Sequence, residues 1–193
     1  MWAELLRAFR ITLVLTVLTG LLYPGLVTAV AQAVFPRQAH GSLVTSGGRL
    51  VGSALIGQNF SRPEYFHPRP SAAGPNGYDG SASAGSNLGP TSQKLVDRVR
   101  TAVEGYRREN GNYDGPIPAD AVTASASGLD PDISPENAHI QSARVAQARG
   151  VTIDRVTALV QQRIEKPWLG FVGEPRVNVL ALNLDLDREL ARR

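Results

Sequence analysis

Side chains that could do chemistry are few in this chain of 193 residues. The three histidines, His40, His67 and His139, stand far apart without metal-type spacing, and there is no cysteine to join them, so no metal site is expected. The only lysines are Lys94 in SQKL and Lys166 in EKPW. Neither ends a glycine-rich run of the kind that cradles phosphates, which excludes a P-loop ATPase. Ser125 and Ser127 lie in TASASGLDPDIS without a Gly-x-Ser-x-Gly elbow, and Thr91-Ser-Gln-Lys94 is a loose match to a Ser-x-x-Lys nucleophile. Hydrolase is therefore a second class only, and no catalytic residue is expected. The carboxylates Asp79, Asp130 and Asp132 could steer a cation, although each also fits an ordinary turn residue in Gly- and Pro-rich sequence.

Charge narrows the choice further. The net charge is +3, with Lys and Arg interleaved among Asp and Glu, which argues against a nucleic-acid surface. Hydrophobic residues make up 42% of the chain, enough for a core, so disorder throughout is excluded.

The elements that must position these residues begin with a membrane segment. From Ile11 to Phe35 runs ITLVLTVLTGLLYPGLVTAVAQAVF, without a charge and long enough to cross a bilayer with some tilt. Arg7 and Arg10 precede it. By the positive-inside rule residues 1–10 stay in the cytoplasm and the bulk of the chain lies outside. Pro24 and Gly25, mid-run, hint at helix partners. The competing reading is a cleaved signal ending near Ala31 or Ala33, which would release a secreted hydrolase or solute-binding protein; the run is far longer than a signal core of about 7–15 residues.

After the 11–35 span, residues 36–48 read as a tether and 49–193 as one extracytoplasmic domain. Arg49–Phe60 reads as a first strand. Residues 61–91, dominated by Pro, Gly, Ser and Asn, form a long loop with Tyr65, Phe66 and Tyr78 inserted. A loop of that length in a compact domain points to a job, and Tyr65, Phe66, Arg69, Tyr78 and Asn87 are its candidates for partner contact. A helix capped at Thr91 or Ser92 carries Leu95, Val96, Val99, Val103 and Tyr106 on one face, and Gly111 closes it. A second starts at Ser134 with Pro135 in first position and ends at Gly150, and a third starts at Thr152; these two predict a helical hairpin. Arg176–Leu184 (RVNVLALNL) reads as a strand, and the tail from Asp185 as charged and exposed. The pattern predicts an α+β domain with a small sheet and about three helices.

Several phrases occur together and in order: GSALIGQNF at 52–60, YFHPRPSA at 65–72, YDGSASAGSNLGP at 78–90, VTASASGLDPDIS at 122–134, QSARVAQARG at 141–150 and GEPRVNVLALNLDLD at 173–187. The series resembles the C subunit of the bacterial Kdp high-affinity potassium-transporting P-type ATPase. The resemblance implies a non-catalytic accessory subunit in the bacterial cytoplasmic (inner) membrane. Its implied partners are a potassium-channel-like subunit, the P-type ATPase subunit and the lipid bilayer. No cofactor would be bound tightly: potassium is the transported ion, and ATP is reached through the complex. The resemblance also implies a catalytic chaperone that raises the ATPase subunit's affinity for ATP, with Gln141 as the residue that would touch nucleotide.

Overall fold

The N-terminal apolar run is one long helix in the computed structural model, which describes residues 1–190. It comprises α1 (Trp2–Val17), a π-helical turn (Leu18–Leu22) and α2 (Tyr23–Val34), together 33 residues. The π turn has a local cause. Pro24 has no N–H to donate and its ring crowds the preceding turn, and widening the helix just before it relieves that clash. Tyr23 N–H accordingly reaches back to Leu18 O, and the Thr19 hydroxyl donates to Leu15 O at 2.7 Å. None of the residues of α1, the π turn or α2 is buried by the chain itself, and Glu4 pairs with Arg7 at 2.8 Å before the apolar stretch begins. The helix therefore starts earlier than the charge-free stretch alone suggests, and at about 1.5 Å per residue it exceeds the thickness of a hydrocarbon core.

The chain separates into two compact units, Met1–Leu43 and the residues from Val44 onward. The stretch expected to be a plain tether is structured. It holds α3 (Pro36–Ala39) and β1 (Leu43–Ser46), which pairs with β2 (Arg49–Ser53) across a Gly47–Gly48 turn, both glycines at positive φ.

The larger unit continues with α4 (Gln93–Glu109), α5 (Ala119–Val122), β3 (Asp132–Ile133), α6 (Pro135–Arg149), α7 (Ile153–Arg163), β4 (Ile164–Glu165), β5 (Arg176–Asn178) and α8 (Val179–Glu189). The central strand of the three-stranded antiparallel sheet is β5, in the order β3-β5-β4, with Ile133 and Ile164 both opposite Val177. The architecture is α+β, as the sequence pattern predicts. The Ser134 side chain caps α6 by accepting from Asn137 N–H, Pro135 takes its first position, and Gly150 ends it at φ 68. The α6–α7 hairpin packs Val145 and Ala146 against Val156, Leu159 and Val160, and Phe66, Ile133, Val177, Leu182 and Leu186 complete the core. Each buried Val, Leu, Ile or Phe among them contributes about 1.5–3 kcal/mol.

Three expectations are corrected. The strand expected over Arg49–Phe60 stops at Ser53, because Gly52, Gly57 and the turn between them break the ladder. The strand expected over Arg176–Leu184 lasts only to Asn178, whose side chain then caps a helix by accepting from Ala181 N–H at 3.0 Å. Val179, Leu182, Asn183 and Leu186 recur at three- and four-residue spacing, a helical period that a short alternating stretch can hide. The tail is not a free charged end. From Asp185 to Glu189 it continues α8, and Asp185, Leu186 and Leu190 are buried; residues 191–193 lie outside the described residues.

Candidate functional site

The stretch from Ser61 to Thr91 has no helix or strand, yet its first third is held as firmly as any core element. Phe66 is fully buried, and both of its main-chain polar groups are met by one side chain of α8: Phe66 N–H donates to Asn183 Oδ1 at 2.8 Å, and Asn183 Nδ2 donates to Phe66 O at 3.0 Å. The next residue is met in the same way from α6. His67 N–H donates to Gln141 Oε1 at 2.8 Å, and Gln141 Nε2 donates to His67 O at 3.1 Å. Successive residues of an extended chain present their polar groups to opposite sides, so two amides gripping neighbours from two helices form a clamp. The net gain is about 0.5–1.5 kcal/mol per bond, but a buried group left unmet would cost about 1–3 kcal/mol.

Arginines extend the grip. Arg144 Nη1 donates to Pro63 O at 2.7 Å and Tyr65 O at 2.9 Å, and Arg149 Nε donates to Glu64 O at 2.8 Å. Arg149 also donates to Leu186 O and to the Asp187 carboxylate, at 3.0 and 2.8 Å. The Tyr65 hydroxyl donates to Asp187 as well, and the guanidinium groups of Arg62 and Arg149 lie 4.9 and 5.1 Å from the Tyr65 ring centre. At the start of α6, Asp120 accepts from Ser134 N–H, the Ser134 hydroxyl and Asn137 Nδ2, which places a carboxylate where the helix dipole favours it.

Further along the loop, Arg69 pairs with Asp130 at 2.8 Å, and Tyr78 donates its hydroxyl to Arg69 O. Burial, helped by the Asp130 charge, pushes the Tyr78 hydroxyl well above its ordinary pKa. Ser71 Oγ donates to Gly128 O at 2.6 Å and accepts from Tyr78 N–H. Gly128 sits at φ 68, and a Cβ there would lie 2.5 Å from Ala84 O and 2.8 Å from Ala73 N; only glycine fits that close approach.

Beside the clamp opens a cavity of about 340 Å³, lined among others by His67, Arg69, Tyr106, Glu109, Asn137 and Gln141. Its walls are already cross-bonded. The Tyr106 hydroxyl donates to Asn137 Oδ1 at 2.8 Å, and His67 pairs through Nδ1 with Glu109 and through Nε2 with Arg62 O. The hydrogen bond from His67 holds the Glu109 carboxyl below its ordinary pKa against the opposing effect of burial.

The five residues singled out for partner contact part company here. Phe66 lies inside the domain's own core. Tyr65, Arg69 and Tyr78 are half-buried; the two tyrosine hydroxyls bond within the chain and Arg69 Nη1 pairs with Asp130, while Arg69 Nε is buried without a hydrogen-bond partner, and Asn87 is exposed at φ 52. Gln141 is 2% exposed. Its oxygen accepts from His67 N–H and Arg144 Nη2, and its nitrogen donates to His67 O and Asn137 Oδ1, which fills the donor and acceptor capacity of the amide. The residues that sequence reading passed over are two of the clamp's other members, Asn183 and Asn137. A polar residue at a core position of a helical repeat was the available signal, and reading RVNVLALNL as a strand hid it.

One long apolar helix followed by an α+β domain, with polar side chains that fix an irregular loop, is the build of a protein anchored in a membrane by a single helix. The family described as K+-transporting ATPase, c chain (KdpC), matches residues 5–188. The chain belongs to that family. It is 60% identical over 189 residues to the potassium-transporting ATPase KdpC subunit of Myxococcus xanthus, covering 97% of this chain and 89% of that one. It is 61% identical over 173 residues to the KdpC subunit of Caulobacter vibrioides, covering 89% and 86%, and 56% identical over 187 residues to that of Gemmatimonas aurantiaca, covering 97% and 94%.

Proposed function

We propose that this chain is the non-catalytic, membrane-anchored accessory subunit of a potassium-transporting ATPase in the bacterial inner membrane. Its N-terminus is inside and its α+β domain outside, and it serves assembly and activity of a complex whose channel-like and P-type ATPase subunits carry ion and ATP. The carrying observation is the clamp. Fixing the backbone at Phe66 and His67 from two helices holds the loop in one shape before any partner arrives, which reduces the ordering cost of association. The outward parts of Tyr65, Arg69, Tyr78 and Asn87 then form the partner-facing surface, with Phe66 as its buried footing.

The effect on ATP affinity fits this reading if it passes through the subunit interface. Gln141 has its amide filled by the loop and α6, so a nucleotide would have to break the clamp to reach it. ATP then stays with the ATPase subunit, and potassium is cargo rather than a bound cofactor of this chain.

The absence of native cysteine makes the test clean. An Asn87→Cys variant should react with a membrane-impermeant maleimide in intact spheroplasts when expressed alone, and be protected when the other subunits are co-expressed. Labelling only after lysis would overturn the sidedness. Equal labelling with and without the partners would overturn the loop as contact surface.

A further inference from the structure

The connection between β4 and β5 closes on a small hydrogen-bonded turn. Trp168 N–H donates to Val172 O and Val172 N–H to Trp168 O, both at 2.9 Å, and Gly170 N–H donates to Pro167 O. Leu169 and Gly170 turn the chain at φ 54 and 83. This defined scaffold directs four apolar side chains outward: Trp168 is 71% exposed, Leu169 66%, Phe171 78% and Val172 46%. None of them belongs to either core cluster. Apolar side chains grouped on a projecting turn mark an interaction site.

The surroundings say what kind. Lys166 and Arg176 flank the turn together with Glu165 and Glu174, so the local charges cancel, and Arg176 is already paired with Glu165 at 3.0 Å and Asp132 at 3.3 Å. No strongly charged partner is indicated. Tryptophan and phenylalanine on a turn, with a lysine beside them whose long stem can reach back to water, are the composition favoured at the boundary between headgroups and acyl chains. Connectivity selects the same occupant. Only residues 35–42 separate the end of α2 from β1, and even fully extended they reach at most about 29 Å. The β1 end of the domain is therefore held within that distance of the end of the helix, and the tether makes even weak insertion effectively intramolecular.

We infer that the Trp168–Val172 turn is a lipid-dipping foot that inserts its apolar side chains into the interfacial region of the bilayer anchoring the chain. The turn gives the domain a second point of membrane attachment. This rests on anchorage by the N-terminal helix, and not on the sidedness proposed above.

The chain has two tryptophans, Trp2 and Trp168, so each can report alone. Full-length Trp2→Phe is reconstituted in phosphatidylcholine vesicles with and without acyl chains brominated near the headgroup. The foot predicts blue-shifted emission and roughly twofold quenching of Trp168, both reduced by Phe171→Asp. Co-flotation of the protein with the vesicles reports on the helix. If the protein co-floats while Trp168 emits as in water and is unquenched, the foot is overturned and the anchorage stands; if it does not co-float, both fall. A Trp168 that is blue-shifted but unquenched by bromolipid in the assembled complex places the turn in a protein pocket, which also overturns the inference.

Discussion

Two irregular connections in the α+β domain are built on opposite principles. Residues 62–69 are polar at their contacts: main-chain groups are met by Asn183, Gln141, Arg144 and Arg149, and the one large apolar side chain among those contacts, Phe66, is turned inward. Residues 167–173 satisfy their backbone within the turn and face their apolar side chains outward. Stability and exposure thus trade places. The first loop is part of the fold and shows only its rim, whereas the second keeps its apolar side chains out of both core clusters and exposes them. Substitutions in the first should therefore cost stability and those in the second should not.

The sharpest way to break the comparison is Asn183→Leu. Leucine matches the apolar neighbours but leaves both Phe66 N–H and Phe66 O buried and unmet, and at about 1–3 kcal/mol for each group the expected loss is about 4 kcal/mol. Urea denaturation of the full chain in detergent, followed by near-UV circular dichroism, measures it; a loss below 1 kcal/mol would mean that the clamp is ornamental. Gly128→Ala comes next. A methyl group at positive φ against Ala84 O and Ala73 N should cost about 2 kcal/mol in the same measurement, because backbone cannot step aside as a flexible side chain can.

How much of this was legible in the sequence follows from the same contrast. The α6–α7 hairpin was readable to the residue, because Ser134, Pro135, Gly150 and Thr152 act through local geometry that the residue type alone dictates. The apolar character of the membrane helix and its end near Phe35 were equally plain, whereas its start at Trp2, nine residues before the charge-free run, was not; its π turn follows from Pro24. Helix α8 was not, since Val-Asn-Val-Leu satisfies a period of two over the few residues inspected, and its helical period shows only when the buried set from Val179 to Leu190 is known. The clamp was hidden for a deeper reason. It joins residues separated by 117 and 74 positions, and nothing in Asn183 or Gln141 alone says which main-chain group it will meet. The resemblance picked out Gln141, and the structure shows its amide turned to the loop.

A smaller effect concerns pH. The hydrogen bond from His67 holds the Glu109 carboxyl below its ordinary value of 4.5, so the folded state favours the charged form. That contribution is complete above the ordinary value and is lost as pH falls through the folded one. Asp132 runs the other way: burial raises its pKa, so the cost of keeping it charged fades as acid is added. Comparing the parent with Glu109→Gln separates the two. The parent should be the more stable near pH 6, with the gap closing in more acidic solution. A gap constant across that range would show that the His67–Glu109 contact carries no proton linkage.

The smallest expected effect tests the other side of the contrast. Phe171→Ser removes a large apolar group, which in a core would cost several kcal/mol. Phe171 is 78% exposed on a turn whose hydrogen bonds are all main-chain, so the folded domain loses almost nothing when its ring is removed. The expected change in stability is within about 0.5 kcal/mol, as for ordinary surface positions. The measurement is the same urea midpoint used for Asn183→Leu, read in detergent where no bilayer rewards the ring. A loss of 2 kcal/mol or more would mean that the turn is packed in solution, and the division between a loop that holds the fold and a loop that serves the surface would have to be redrawn.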